Sequence, residues 1–152
     1  MEDSNLKKEV VALLELEVGI YQMRVTRLNS ELQQYFNSSS LRHVMARIMT
    51  LATLHKKPLT ISEIVAVTYA TRQAISALIK DCLGRGYIEI IDQGDFKKRY
   101  QATKLLLDAT KQYTDARMRL AIETMDKHKI TPAWSIVTNN PTTKDKVGKA
   151  LA

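Results

Sequence analysis

Apolar residues recur over the first quarter of the chain at alternating steps of four and three: Leu14, Val18, Tyr21, Val25, Leu28, Leu32 and Tyr35. This heptad seam predicts one long helix over Leu6–Phe36, built to pack along another helix. Leu13, Leu16, Ile20 and Met23 widen the stripe, so an ordinary core helix buried on more than one side is the competing reading. Gly19 inside it costs about 1 kcal/mol relative to alanine. Asn37 to Ser40 form a turn cluster whose serines suit a cap, and Leu41, Val44, Met45, Ile48, Met49, Leu51, Ala52 and Leu54 carry a helical period on to His55. Lys56, Lys57 and Pro58 end it. Met45 and Met49 read as gap-filling core rather than a ligand pocket.

Thr60 followed by Glu63 has the capping-box spacing and opens a short helix running to about Tyr69. Thr71 caps the next, in which Ile75, Leu78, Ile79 and Cys82 share one face while Arg72, Gln73, Ser76 and Lys80 lie elsewhere. Two short helices with a tight connection predict a helix-turn-helix. Gly84 and Gly86 stop the second helix. Tyr87–Ile91, a turn at Asp92–Asp95 and Phe96–Ala102 predict a β-hairpin with a basic tip; the second strand would place Phe96, Lys98, Tyr100 and Ala102 on one face and Lys97, Arg99 and Gln101 on the other. A second long helix follows from Thr103 to about Lys129, with Leu106, Ala109, Tyr113, Ala116 and Leu120 in helical register. Beyond Pro132 a break at Asn139–Pro141 precedes a short helix over Lys144–Leu151.

Composition narrows the chemistry. The 152 residues include 45% apolar residues, enough for one domain to bury a core without disulfides or metal. The single cysteine, Cys82, excludes a disulfide framework and any multi-cysteine zinc or iron–sulfur site, and points to a reducing, cytoplasmic setting. No stretch is long and apolar enough for a signal core or a membrane span. The net charge of +7 is uneven: the first 36 residues carry −2 and the remainder +9. A polyanion partner is therefore plausible.

Enzyme readings find little support. His43, His55 and His128 stand apart without metal-ligand spacing, Gly84-Arg85-Gly86 precedes a strand rather than a helix, and no nucleophile motif surrounds any serine or threonine. Glu15 with Glu17 and Asp92 with Asp95 read as exposed helix or turn positions. Neither catalysis nor a cofactor is expected.

Three pieces in register carry a resemblance: Leu59-Thr60-Ile61-Ser62-Glu63-Ile64-Val65, then Thr71 through Ile79, then Cys82-Leu83-Gly84-Arg85-Gly86-Tyr87-Ile88. The run resembles the winged-helix core of MarR-type transcriptional regulators. The resemblance implies a mainly α fold with a small β-hairpin wing: a dimerisation helix over 1–36, a winged helix-turn-helix core over 37–104, a dimerisation helix over 105–129, and a tail, 130–152, that the family pattern leaves unassigned. It also implies a cytoplasmic homodimer on double-stranded DNA, paired through Leu14, Val18, Tyr21 and Val25 and the second long helix through Leu120.

A recognition helix reads base edges from its first turns, which places Arg72, Gln73 and Ser76 there with Lys80 beyond; the alternative is a solvated polar face. Thr60, Ser62 and Thr71 at helix starts suit phosphates, or serve as plain caps. Lys97, Lys98 and Arg99 repel one another unless screened, so a wing on phosphates or in the minor groove would use them. The chain departs from the family at Asp95-Phe96-Lys97, where arginine is usual at the third position, at Tyr69, where glycine is common, and at Ala77, often arginine. Cys82 occupies a core leucine position and reads as a small buried hydrophobe, a redox sensor being the alternative. A small-molecule effector is implied by the family alone, with Tyr21, Met23 and Met45 as cleft candidates against a core role. The competing function is a winged-helix adaptor docking a protein partner, for which Trp134 is a candidate anchor.

Overall fold

The computed structural model describes residues 2–131. The chain divides into two compact units, Met23–Ala116 and Met1–Gln22 with Arg117–Ala152. Its elements are α1 (Glu2–Thr26), α2 (Glu31–Asn37), α3 (Ser40–Leu54), α4 (Ile61–Thr68), α5 (Arg72–Gly84), β1 (Ile88–Ile91), β2 (Arg99–Ala102) and α6 (Lys104–Lys127). No helix among the described residues is long and apolar enough to cross a membrane.

The unit from Met23 to Ala116 is the winged helix. Each of its short helices starts on a hydroxyl: Ser39, Thr60 and Thr71 accept from the backbone N–H three residues on and so satisfy one of the orphan donors of the first turn. The predicted inner face of α5 is realised, with Ile75, Leu78, Ile79 and Cys82 all buried. They join Met45, Met49, Ile64 and Leu106 in one cluster, each large side chain contributing roughly 1.5–3 kcal/mol of gross transfer free energy. Tyr35, Phe36 and Tyr87 add a ring cluster with centroids 5.0–5.4 Å apart. β1 and β2 pair antiparallel with Ile88 opposite Ala102 and Ile91 opposite Arg99. Leu59 extends this ladder by one rung: its N–H donates to the Tyr100 carbonyl at 3.0 Å and the Tyr100 N–H donates back at 2.8 Å. That rung fixes the root of the wing beside the start of α4.

In the other unit, residues 2–22 of α1 pack with residues 117–131. Gly19 permits a close approach, since a Cβ there would stand 3.0 Å from Leu120 Cδ2, which gives the helix-interior glycine its packing reason. Glu15 accepts from His128 Nε2 at 2.6 Å and Lys127 Nζ at 3.1 Å. Those bonds, His128 first, hold its carboxyl below the usual range.

Two expectations need correction. The predicted single helix over Leu6–Phe36 is two, because Ser30 starts a new one. Gln33 N–H donates to Ser30 Oγ at 3.3 Å while Gln33 Oε1 accepts from the Ser30 N–H at 3.2 Å, a reciprocal capping box. The second strand begins at Arg99 rather than Phe96. Phe96 instead sits in the turn with φ of +61°, a conformation no strand residue adopts, so Phe96 and Lys98 do not share a strand face with Tyr100. Among the candidate cleft residues, Tyr21 is exposed while Met23 and Met45 are buried in core. The helix expected over Lys144–Leu151, and Trp134, lie outside the described residues.

Candidate nucleic-acid interface

The start of α4, the start of α5 and the wing meet in one hollow of about 470 Å³, lined by Thr60, Ile61, Ser62, Glu63, Arg72, Lys97, Lys98, Arg99 and Tyr100. Four of these side chains are cationic and Glu63 alone is anionic. The backbone rung at Leu59 and Tyr100 is what brings wing and helix together, as it ties the chain just before Thr60 to the strand just after Arg99.

Within the hollow the hydroxyls divide by task. Thr60 is bound as a cap, its side chain accepting from the Glu63 N–H at 3.3 Å and donating to Glu63 Oε1 at 3.1 Å. Ser62 is not a cap; its Oγ accepts from Arg72 Nη1 at 2.9 Å and so tethers the first residue of α5 to α4. Thr71 caps α5 through the Ala74 N–H at 3.1 Å. Both threonines thus serve the capping role.

The wing is braced by carboxylates. Asp92 Oδ1 accepts from the Gly94 N–H at 2.7 Å, and Asp95 Oδ1 accepts from the Lys97 N–H at 3.3 Å. Arg99 grips Asp95 with both terminal nitrogens, each at 2.6 Å, and its side chain is largely covered. This fork, helped by the Lys97 N–H, pulls the Asp95 carboxyl down to about 2. At this departure from the family spacing the aspartate and the arginine pair with each other, four residues apart, across the left-handed Phe96. Arg99 is half-neutralised in place, which leaves Lys97 and Lys98 as the exposed cations of the wing.

Not every predicted residue joins this hollow. Gln73 is exposed and Ser76 half-buried on α5. Lys80 lies further along, in a separate shallow hollow with Ala77, Asp81, Gly84 and Arg85. The sequence reading missed the anchor behind that second hollow. Tyr35 on α2 donates to Asp81 Oδ2 at 2.5 Å, and the guanidinium groups of Arg42 and Arg85 lie over its ring, 4.2 Å and 4.5 Å from the centroid. The bond from Tyr35, then that from Arg85, lowers the Asp81 carboxyl; burial pushes the neighbouring Cys82 thiol up. A buried thiol with a disfavoured thiolate suits the core role expected of Cys82. Nothing local in the sequence signals a pairing between positions 35 and 81.

Residues 45–95 match the family model of the MarR family. The winged core is MarR-like. No curated protein sequence matches the chain. Among solved structures, the crystal structure of the heme sensor protein PefR in complex with heme and carbon monoxide is similar at 17% identity, covering 97% of this chain and 91% of the PefR chain with a TM-score of 0.50. That likeness is one of fold. The segment matched by the family model holds most of α3 together with α4, α5 and β1, and it contains Ser62 and Arg72.

Proposed function

We propose that the chain is a transcriptional regulator that binds double-stranded DNA sequence-specifically as a homodimer. Arg72, Gln73 and Ser76 of α5 read base edges in the major groove, Lys80 meets the backbone, and Lys97 and Lys98 hold phosphates beside it. The observation that carries this reading is the shared cationic hollow, which joins the first turn of the recognition helix to the wing. A positive surface alone would suit any polyanion; one that spans a groove-sized helix and a flanking hairpin suits a duplex.

Support for the dimer comes from α1. Leu14, Val18, Tyr21 and Val25 are each more than half exposed, as are Met118 and Ile122 of α6, which leaves apolar rows that a second copy would cover. Two-fold symmetry then asks for half-sites roughly 10 bp apart or a multiple of that. An effector would enter the cleft lined by Leu32, Phe36, Arg47, Leu106 and Tyr113, which holds about 30 Å³ of free space and so admits about one water until it opens.

The test is selection from random duplexes followed by titration over a salt series. The expected outcome is a symmetric motif, relaxed at one position by Arg72→Ala at a cost of about 1–3 kcal/mol. Lys98→Ala is expected to weaken all duplexes alike and to lower the salt slope by about one unit. Wild-type affinity and slope in both variants would refute the assignment.

A further inference from the structure

The wing apex carries a feature that phosphate neutralisation does not require. Phe96 is completely exposed, at 104% relative accessibility, and its φ of +61° lies in the left-handed region that a bulky aromatic seldom occupies. Each is unfavourable in the free protein, where the ring meets water and the backbone is strained. A lone exposed phenylalanine needs no function. This one is held outward by construction: Asp95, just before it, accepts from the backbone N–H of Lys97, just after it, and from both terminal nitrogens of Arg99. Gly94, with φ of +79°, is in turn tied to Asp92. These bonds brace the turn, the ring is fully exposed on it, and Lys97 and Lys98 stand next to it on the same hollow as Arg72.

We propose that Phe96 is an apolar wedge that enters the minor groove of the duplex, next to the major groove taken by α5, with Lys97 and Lys98 on the bordering phosphates. The proposal rests on the duplex-binding reading above. Charge complementarity selects the partner, and the ring supplies what the lysines cannot, desolvated contact with groove walls and base steps; wedges of this kind unstack a step and bend the duplex. Because pyrimidine–purine steps yield most easily, such steps are expected where the wing lands. Full exposure of the ring, a cost in the free chain, is relieved on binding, while the left-handed backbone keeps the ring aimed outward.

The experiment compares the wild-type chain with Phe96→Ala, Phe96→Gly and Phe96→Leu on duplexes selected by the wild type, read by fluorescence anisotropy across salt and by hydroxyl-radical cleavage. Phe96→Ala is expected to bind roughly tenfold more weakly, from loss of buried ring area, with an unchanged salt slope because no charge is removed. Minor-groove cleavage beside the recognition site, suppressed by the wild type, is expected to return. Phe96→Leu keeps most of the affinity. Phe96→Gly relieves the left-handed strain, so it raises thermal stability while binding DNA as poorly as the alanine variant, an opposition that a merely structural role would not produce. Affinity of Phe96→Ala within twofold of wild type, or unchanged cleavage, overturns the wedge and leaves the regulator reading standing. Failure of the wild type to bind any duplex overturns both.

Discussion

The winged core and the α1 portion of the other unit draw on one apolar pattern and use it in opposite ways. The seam from Leu14 to Tyr35 keeps its step throughout, yet Leu32 and Tyr35 are buried within the winged core whereas Leu14, Val18 and Tyr21 are exposed. Periodicity says which residues share a face; whether that face is covered depends on what the chain places against it. Leu32 and Tyr35 meet α3, α5 and the ring cluster of their own unit. The earlier positions are left more than half exposed, the face that the proposed second copy would cover.

The largest effect that would sharpen this contrast is expected inside the core. Leu106 is almost fully buried, at 1% exposure, and Leu106→Ala removes three heavy atoms from a packed site. It is expected to cost about 2–5 kcal/mol, read as a fall in the urea midpoint at fixed protein concentration. A loss below about 1 kcal/mol would mean that the site collapses freely and that the core is less closely packed than its burial indicates. The same chemistry on the open seam is expected to act elsewhere. Leu14→Ala with Val18→Ala leaves the helical spectrum and the protomer fold intact but weakens self-association by roughly 3 kcal/mol, more than a hundredfold in dimer dissociation. Sedimentation equilibrium reads it directly; a wild type that stays monomeric, or a double variant that dimerises normally, would break the comparison.

Between the two halves of the seam lies the break at Arg27–Ser30, and it shows what was legible in the sequence and what was not. Capping hydroxyls at Thr60 and Thr71, the inner face of α5, the hairpin and the basic wing all follow from local rules, because a cap or a strand period is a property of a few adjacent residues. Ser30 and Gln33 obey the same capping-box spacing as Thr60 and Glu63. Their signal is hidden inside an unbroken heptad period, and the longer pattern outweighs it on reading though not in folding. The hollow itself was legible only in its parts. Arg72, Lys97 and Lys98 stand out as cations, but their meeting depends on the backbone rung at Leu59 and Tyr100, a tertiary event. The fork between Asp95 and Arg99 depends on a left-handed phenylalanine, which no propensity would suggest. Ser30→Ala tests the break: loss of the cap is expected to cost about 1 kcal/mol of stability. Unchanged stability would mean that chain entry, and not the hydroxyl, ends α1.

The smallest expected effect concerns the wing, where polar groups rather than apolar ones hold the turn. The Asp95 carboxyl sits at about 2 because the Arg99 guanidinium grips it and the Lys97 N–H assists, against an ordinary value of about 3.9. The folded wing therefore takes up its proton at lower pH than the unfolded chain does. Its stabilising contribution is complete above about pH 4 and is lost as pH falls through about 2. Because the Asp95 side chain is exposed even though Arg99 is largely covered, solvent screens the pair and its contribution to global stability is small, so the carboxyl itself is the better reporter. A carbon-detected titration is expected to give an Asp95 midpoint near 2, returning toward the ordinary aspartate value in Arg99→Ala. A wild-type midpoint already at the ordinary value would show that the fork does not form in solution. Arg99 would then be a third free cation on the wing, and the brace that holds Phe96 outward would be missing.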